Sequence, residues 1–291
     1  MAIFELENTL LSVKINSFGA ELCSVISKKT DIEYIWQADK MVWARHAPNL
    51  FPIVGKLKDG LFKHESHIYQ MPQHGFARDS EFVCIEQTSD FLLFELTASE
   101  QTLDNYPFHF SLQIGYKLKG NILQTSYAVF NPDHKDLYFS VGAHPAFNCP
   151  LQKGESFSDY ELIFPSKSNL SVNTLDDGLI TANKKSLELK DHKLQVSKQL
   201  FDYDALVFTD TQIEEVKLVS SKTTHGVSLV SKNWPYFGIW TKKGSEQFVC
   251  LEPWQGIADS DTTTGIFSDK TGVIKLSAEQ QYDCSFEIAF F

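Results

Sequence analysis

The chain has 291 residues, 43% hydrophobic and 22% charged, with a net charge of −11 from 26 basic and 37 acidic side chains. This composition supplies ample core material, and without a Lys/Arg-rich block it excludes a nucleic-acid footprint, which needs basic groups to neutralise phosphate. No apolar run reaches the ~20 residues that cross a bilayer. The N-terminal Met1-Ala-Ile-Phe-Glu-Leu-Glu-Asn8 has no positive n-region and no long apolar stretch, so no signal peptide, a cytoplasmic location and no membrane partner are expected.

Aromatic residues make up 13% of the chain, with 23 Phe, 10 Tyr and 5 Trp. They favour strands and also offer faces on which sugar rings stack. The five cysteines, Cys23, Cys84, Cys149, Cys250 and Cys284, are widely spaced among apolar residues with no C-x-x-C pair. They are read as buried thiols of a reducing compartment rather than a disulfide frame or a zinc site.

In chain order, the charged loop Lys56-Leu-Lys-Asp-Gly60 precedes Gln73-His74-Gly75-Phe76-Ala77-Arg78. A glycine after His74 lets backbone approach a ligand, and Arg78 has the fork geometry that grips an oxyanion or a pair of hydroxyls. A surface turn with a salt-bridged arginine is the plainer alternative. Ser99–Asp104, ahead of Pro107, reads as a short helical turn. Phe108, Phe110, Leu112, Ile114, Tyr116 and Leu118 alternate with polar neighbours, and after Lys119-Gly120-Asn121 the pattern returns through Leu123, Tyr127 and Val129, as a hairpin does. Asp136–Val141 reads as a strand that delivers His144, whose direction is restricted by Pro145; taken alone, a buried structural histidine is the commoner reading.

Further hairpins are expected at Asp191-His192, His225-Gly226 and Lys243-Gly244. Asp204 precedes an apolar strand, where it serves either as a hydroxyl acceptor or as a turn residue. The apolar Phe248–Leu251 ends at Glu252, where a carboxylate is costly unless paired or protonated, so its pKa is expected to rise toward that of a general base; the alternative is a sheet-edge glutamate pointing into water. Trp254 beside it offers a stacking surface. Tyr282, Cys284, Phe286, Ile288 and Phe290 form a closing strand. With almost no helix and no linker, residues 1–291 are read as one all-β domain, a large antiparallel β-sandwich. No Walker-A loop, G-x-G-x-x-G or G-x-S-x-G is present.

The ordered set His74-Gly75, His144-Pro145 with Phe147-Asn148, and Glu252-Pro253-Trp254 resembles the signature of the aldose 1-epimerase (galactose mutarotase) family, with the LacX-like branch the nearest match. The resemblance implies the galactose mutarotase-like supersandwich, anomer interconversion of a hexose or hexose phosphate, and no cofactor or metal. It assigns Glu252 as base, His144 as acid and His74 as supporting histidine, with Asp204 contacting substrate and Asn148 in the same motif. Two positions depart from the family: Lys56 stands where arginine is usual, and Ala146 where an aromatic is common. The His-Gly-Phe-Ala-Arg string is similar to that of hexose-6-phosphate mutarotases, which adds Arg78, with Arg45 or Lys56, as a phosphate pocket. A homodimer is compatible with the resemblance. Two other readings stand beside it: a non-catalytic sugar-binding or sensing protein, and a metal-dependent isomerase built on His74, His144 and Glu252.

Overall fold

The alternating segment around Leu112 folds as the strand Ser111–Lys119, turns at Gly120, and returns as Ile122–Phe130 in continuous register. Leu112, Ile114, Tyr116 and Leu118 point into the core. The structure is a computed structural model describing residues 1–209 and 213–291. In it the hairpin belongs to a nine-stranded sheet that runs from Lys193–Gln195 at one edge to Val83–Gln87 at the other. The C-terminal strand Gln281–Phe290 does not close an edge. It lies inside this sheet, paired with Ile122–Phe130 on one side and Gly226–Val230 on the other.

A second sheet of eight strands carries, in order, Leu179–Glu188, Asn169–Asp176, Leu206–Phe208, Tyr236–Trp240, Phe248–Trp254, Gly142–Ala143 and Asn49–Leu50, with Ala146–Asn148 also paired to Phe248–Trp254. All pairings between these strands are antiparallel. One apolar cluster holds the two large sheets together: Leu218, Val227 and Ile288 from the first meet Phe237, Ile239 and Leu251 from the second. A three-stranded N-terminal sheet, Ile3–Glu7, Leu11–Asn16 and Glu21–Ser27, contributes Val13, Ile15 and Val25 to the same core.

The expected turns at His225-Gly226 and Lys243-Gly244 join paired strands. At Asp191-His192 the outcome differs. Both residues take positive φ and a single bridge, Lys190 to Lys193, closes the turn, but the flanking strands enter different large sheets. The turn chemistry is local, whereas the choice of partner strand is made by the core. The helical turn is Glu100–Asn105, with Ser99 capping its N-terminus. Among the described residues no helix is long and apolar enough to cross a membrane. The cysteines are all free, but only Cys149 and Cys250 are fully buried; Cys23, Cys84 and Cys284 are half-buried.

Gly75 ties the loop before Arg78 to the core. It has φ +72°, and a Cβ there would stand 2.2 Å from the Phe51 carbonyl oxygen. Both the backbone conformation and the contact exclude a side chain. Gly75→Ala is therefore expected to destabilise the protein by more than ~2 kcal/mol, read as a lower denaturant midpoint with an unchanged slope.

Candidate active site

Phe248–Trp254 is buried along its whole length, which hides its two-residue alternation in the sequence. In the fold the alternation is plain. Val249 and Leu251 face the main core, while Phe248, Cys250 and Trp254 face the opposite side of the sheet and join two smaller apolar clusters. Glu252 lies between those clusters, 1% exposed. It is therefore mid-strand and not at a strand end as the sequence suggests. Trp254 is accommodated by glycines on both neighbouring strands: a Cβ at Gly142 or Gly238 would come within 2.9 or 2.5 Å of its ring.

His144 is supplied by a break in the adjoining strand. Gly142 pairs with Trp254 and Ala146 pairs with Cys250 in one register; two residues inward from each, His144 falls opposite Glu252. His144-Pro145 interrupts the strand at this point, so the expected delivery by Asp136–Val141 is indirect: only Leu137–Phe139 is extended, and it pairs elsewhere, with Ile274–Leu276. Leu251 and Gln255 donate their N–H groups to Pro145 and Val141 on the broken strand. Between them Pro253 has no N–H to donate, so a strand with a missing donor faces a strand with a gap.

His144 Nε2 approaches Glu252 Oε2 to 3.2 Å, and both side chains are almost fully buried. The approach is not aligned as a hydrogen bond, and Oε2 has no hydrogen-bond partner. Burial, followed by the negative charge of Asp204, pushes the Glu252 carboxyl well above the usual carboxylate range. Burial likewise holds His144 below the usual imidazole range, and the Arg78 and Arg45 charges add to that. Both shifts favour the uncharged form of each group. Trp43 stacks on the His144 ring at 5.1 Å between centroids, and Trp240 meets it edge-on at 5.7 Å.

His74 has φ +66° and is clamped to Gly55 in both directions: its N–H donates to the Gly55 carbonyl at 2.8 Å, and the Gly55 N–H donates to its Nδ1 at 3.1 Å. A ring nitrogen that accepts leaves the proton on the other, so neutral His74 presents Nε2–H. Burial, with nearby His144 and arginine charge, keeps it neutral. Its ring lies 5.6 Å from that of His144. Arg78 anchors one end by donating from Nη2 to the Gln73 carbonyl at 2.6 Å, while its buried Nε has no hydrogen-bond partner.

His74, Arg78, His144, Asp204, Glu252 and Trp254 line one pocket of about 230 Å³. Asp204 sits there in a left-handed conformation, φ +105°. Three other expected residues do not line it. Asn148 donates its side-chain amide to the Glu33 and Ile35 carbonyls, so it fastens a loop. Arg45 is held by Asp79 at 2.9 Å, and Lys56 by Asp177 at 2.5 Å in the groove outside. Trp43 and Trp240 were not expected in the wall; they are 101 residues or fewer from His144 in sequence but share no motif with it, and Trp43 lies in an irregular segment with no strand period to mark it. Of the six buried side-chain polar atoms without a hydrogen-bond partner among the described residues, four belong to pocket residues: Arg78 Nε, His144 Nδ1, Glu252 Oε2 and Trp254 Nε1. Such groups are costly unless a polar ligand meets them. The fold also groups donor atoms of His144, Cys250 and Glu252 within 4.8 Å of one another; the triad considered from sequence is His74, His144 and Glu252, and His74 is not part of this group.

The sign of the stability effect follows from these shifts. The raised Glu252 contributes its full stability below the ordinary carboxylate value of 4.5 and loses it as pH rises toward the raised value. The depressed His144 acts oppositely, losing stability as pH falls below its ordinary 6.5. Glu252→Gln removes only the first effect. Thermal melts are expected to show the variant more stable than wild type by roughly 1–2 kcal/mol above neutral pH, with the gain vanishing toward the ordinary carboxylate range.

The family profile described as aldose 1-epimerase matches residues 2–264. The chain is 32% identical over 292 aligned residues to the chromosomal protein LacX of Lactococcus lactis, covering 96% of this chain and 97% of that one. A galactose mutarotase related enzyme from Lactobacillus acidophilus is 33% identical and superposes with a TM-score of 0.96 over 100% of this chain and 97% of its own. A galactose mutarotase-like protein from Lactobacillus casei is 29% identical with a TM-score of 0.91, each chain covered in full at 100%. With its two-sheet architecture and its His/His/Glu pocket, the chain belongs to the aldose 1-epimerase family, a family of isomerases.

Proposed function

We propose that the protein interconverts the α- and β-anomers of a hexose, with Glu252 and His144 as the proton couple. The observation that carries this reading is the buried 3.2 Å approach of Glu252 to His144, which sets a carboxyl and an imidazole where they can exchange one proton. Anomerisation needs that stoichiometry: one group takes the C1 hydroxyl proton while the other protonates the ring oxygen. Rotation about C1–C2 then presents the other carbonyl face, and ring closure returns both protons.

From the sequence, Glu252 is expected as carboxylate and His144 as imidazolium. Burial favours the neutral arrangement instead. Sugar hydroxyls entering the pocket bring hydrogen-bonding groups to both side chains, which stabilises the charge-separated form and lets the proton pass from Glu252 to His144. The Trp43 ring face stacked on His144 favours the imidazolium. His74, fixed as an Nε2–H donor, hydrogen-bonds the ring oxygen or a neighbouring hydroxyl and orients the sugar. Asp204 and Arg78 receive the remaining hydroxyls. Arg78 Nε lies 3.6 Å from Asp79, which also holds Arg45 at 2.9 Å; Asp204 brings a second carboxylate to the pocket, and this charge balance favours an uncharged hexose over its 6-phosphate.

Anomer exchange followed by saturation-transfer NMR tests the reading. Wild type is expected to equilibrate pure galactose or glucose anomers, and Glu252→Gln and His144→Asn are each expected to lose roughly 10²–10⁴-fold in kcat. Equal rates for wild type and Glu252→Gln would remove the assignment. Free hexoses are expected to show higher kcat/KM than their 6-phosphates. The reverse order, abolished by Arg78→Ala, would identify Arg78 as a phosphate ligand.

A further inference from the structure

Next to Ala258, a residue of the pocket wall, lies an ion pair that the proton transfers do not use. Lys270 Nζ stands 3.1 Å from Asp259 Oδ1, and the two side chains are only 2% and 4% exposed. Burial holds the Lys270 ammonium below the usual lysine range, although the Asp259 carboxylate opposes this. A buried ion pair is commonly no more stabilising than an apolar pair of similar volume, so stability alone gives no reason for it.

The hydrogen bonds around the pair supply a reason. Lys270 Nζ also donates to the Ile257 carbonyl at 2.5 Å, so it grips both ends of Ile257-Ala258-Asp259. Lys270 is itself anchored by Phe267, three residues earlier, which is buried with its ring 4.4 Å from that of Phe62. Asp259 then ties the segment to its neighbours in three places. Its Oδ2 accepts the Lys58 N–H at 3.0 Å, its N–H donates to the Lys56 carbonyl at 2.9 Å, and its carbonyl accepts the Ile180 N–H at 2.8 Å. The Lys56–Lys58 loop is thereby drawn onto the segment, with Gly55 tight against Ala258. A Cβ on Gly55, which has φ +76°, would stand 2.5 Å from the Ala258 Cβ.

Gly55 is also the residue that clamps His74 in both directions. Its N–H decides the tautomer: while it donates to Nδ1, the neutral ring must carry its proton on Nε2. If Gly55 drifts away, Nδ1 is free to take the proton and Nε2 stops donating. We propose that Asp259 and Lys270 are positioning residues for His74, their ion pair holding Gly55 where its N–H selects the Nε2–H tautomer that donates to the sugar. The inference rests on the proposed anomerase reading for the role of that donor. Neither residue lines the pocket. His74 meets the sugar in ground and transition states alike, so its displacement appears in KM more than in kcat.

Ring 15N shifts of His74, assigned by their loss in His74→Gln, separate a protonated from an unprotonated nitrogen and read the tautomer without substrate. Two variants of the full chain are compared with wild type. Asp259→Asn keeps the volume but leaves one neutral oxygen to serve Lys270 and Lys58 together. Asp259→Leu/Lys270→Met removes both charges at once, a change that folded proteins commonly tolerate. Wild type is expected to show His74 as Nε2–H alone. Each variant is expected to show a resolvable Nδ1–H population and a KM for hexose raised about tenfold, with kcat nearly unchanged. The limbs of the pH–rate profile should not move, because Glu252 and His144 keep their surroundings. A folded variant with wild-type ring shifts and wild-type KM would overturn the assignment. Collapse of the fold in both variants would overturn it too, making the pair a stability element. Altered ring shifts in the variants, with a wild-type protein that exchanges no anomers, would leave the role of the ion pair standing and remove the anomerase reading.

Discussion

A carboxyl and an imidazole 3.2 Å apart and almost fully buried constrain everything around them. Neither charge is tolerated alone, so the pair behaves as one acid and one base sharing a proton. The backbone is arranged to bring this about. Glu252 stays in an unbroken strand that fixes its direction, while its partner strand is broken at one point so that His144 falls opposite it. The interruption costs little where it occurs, because Pro253 has already withdrawn the donor that would have bridged the gap.

The rest of the site is built at similar expense to folding. Four buried polar atoms of the pocket lack hydrogen-bond partners, His74 and Asp204 hold left-handed backbone conformations, and glycines stand where Trp254 crosses its neighbours. A sequence optimised for stability alone would remove each of these features. Their concentration around one small pocket is the pattern expected where preorganised groups await a polar ligand.

Much of the fold was legible in the residues. Alternation along Leu112–Leu118 and Phe286–Phe290 gave half-buried strands because one face of each meets solvent or lighter packing, leaving the period of two visible. Phe248–Trp254 hid its period because both faces are covered, so Glu252 was assigned to a strand end. His74, His144, Glu252, Arg78, Asp204 and Trp254, singled out from the sequence, line one pocket. Asn148 lies outside the pocket, where its amide satisfies two carbonyls of a neighbouring loop, a demand that only tertiary structure creates. Arg45 and Lys56 were drawn to Asp79 and Asp177, partners that no sequence spacing reveals. Trp43 was missed for the same reason, since its stacking on His144 exists only once the loop folds over the sheet.

The site draws its walls from residues as far apart as Trp43 and Ala258, and its two proton-carrying groups meet through strands separated by about a third of the chain. No local hairpin contains even two of His74, His144 and Glu252. Such long-range closure is slow and late in folding, because loop entropy is lost before the contacts that repay it can form. The pocket therefore has no partly assembled form with partial chemistry: during refolding, competence should emerge with the last closure of the eight-stranded sheet, well after the Ser111–Phe130 hairpin has regained its secondary structure.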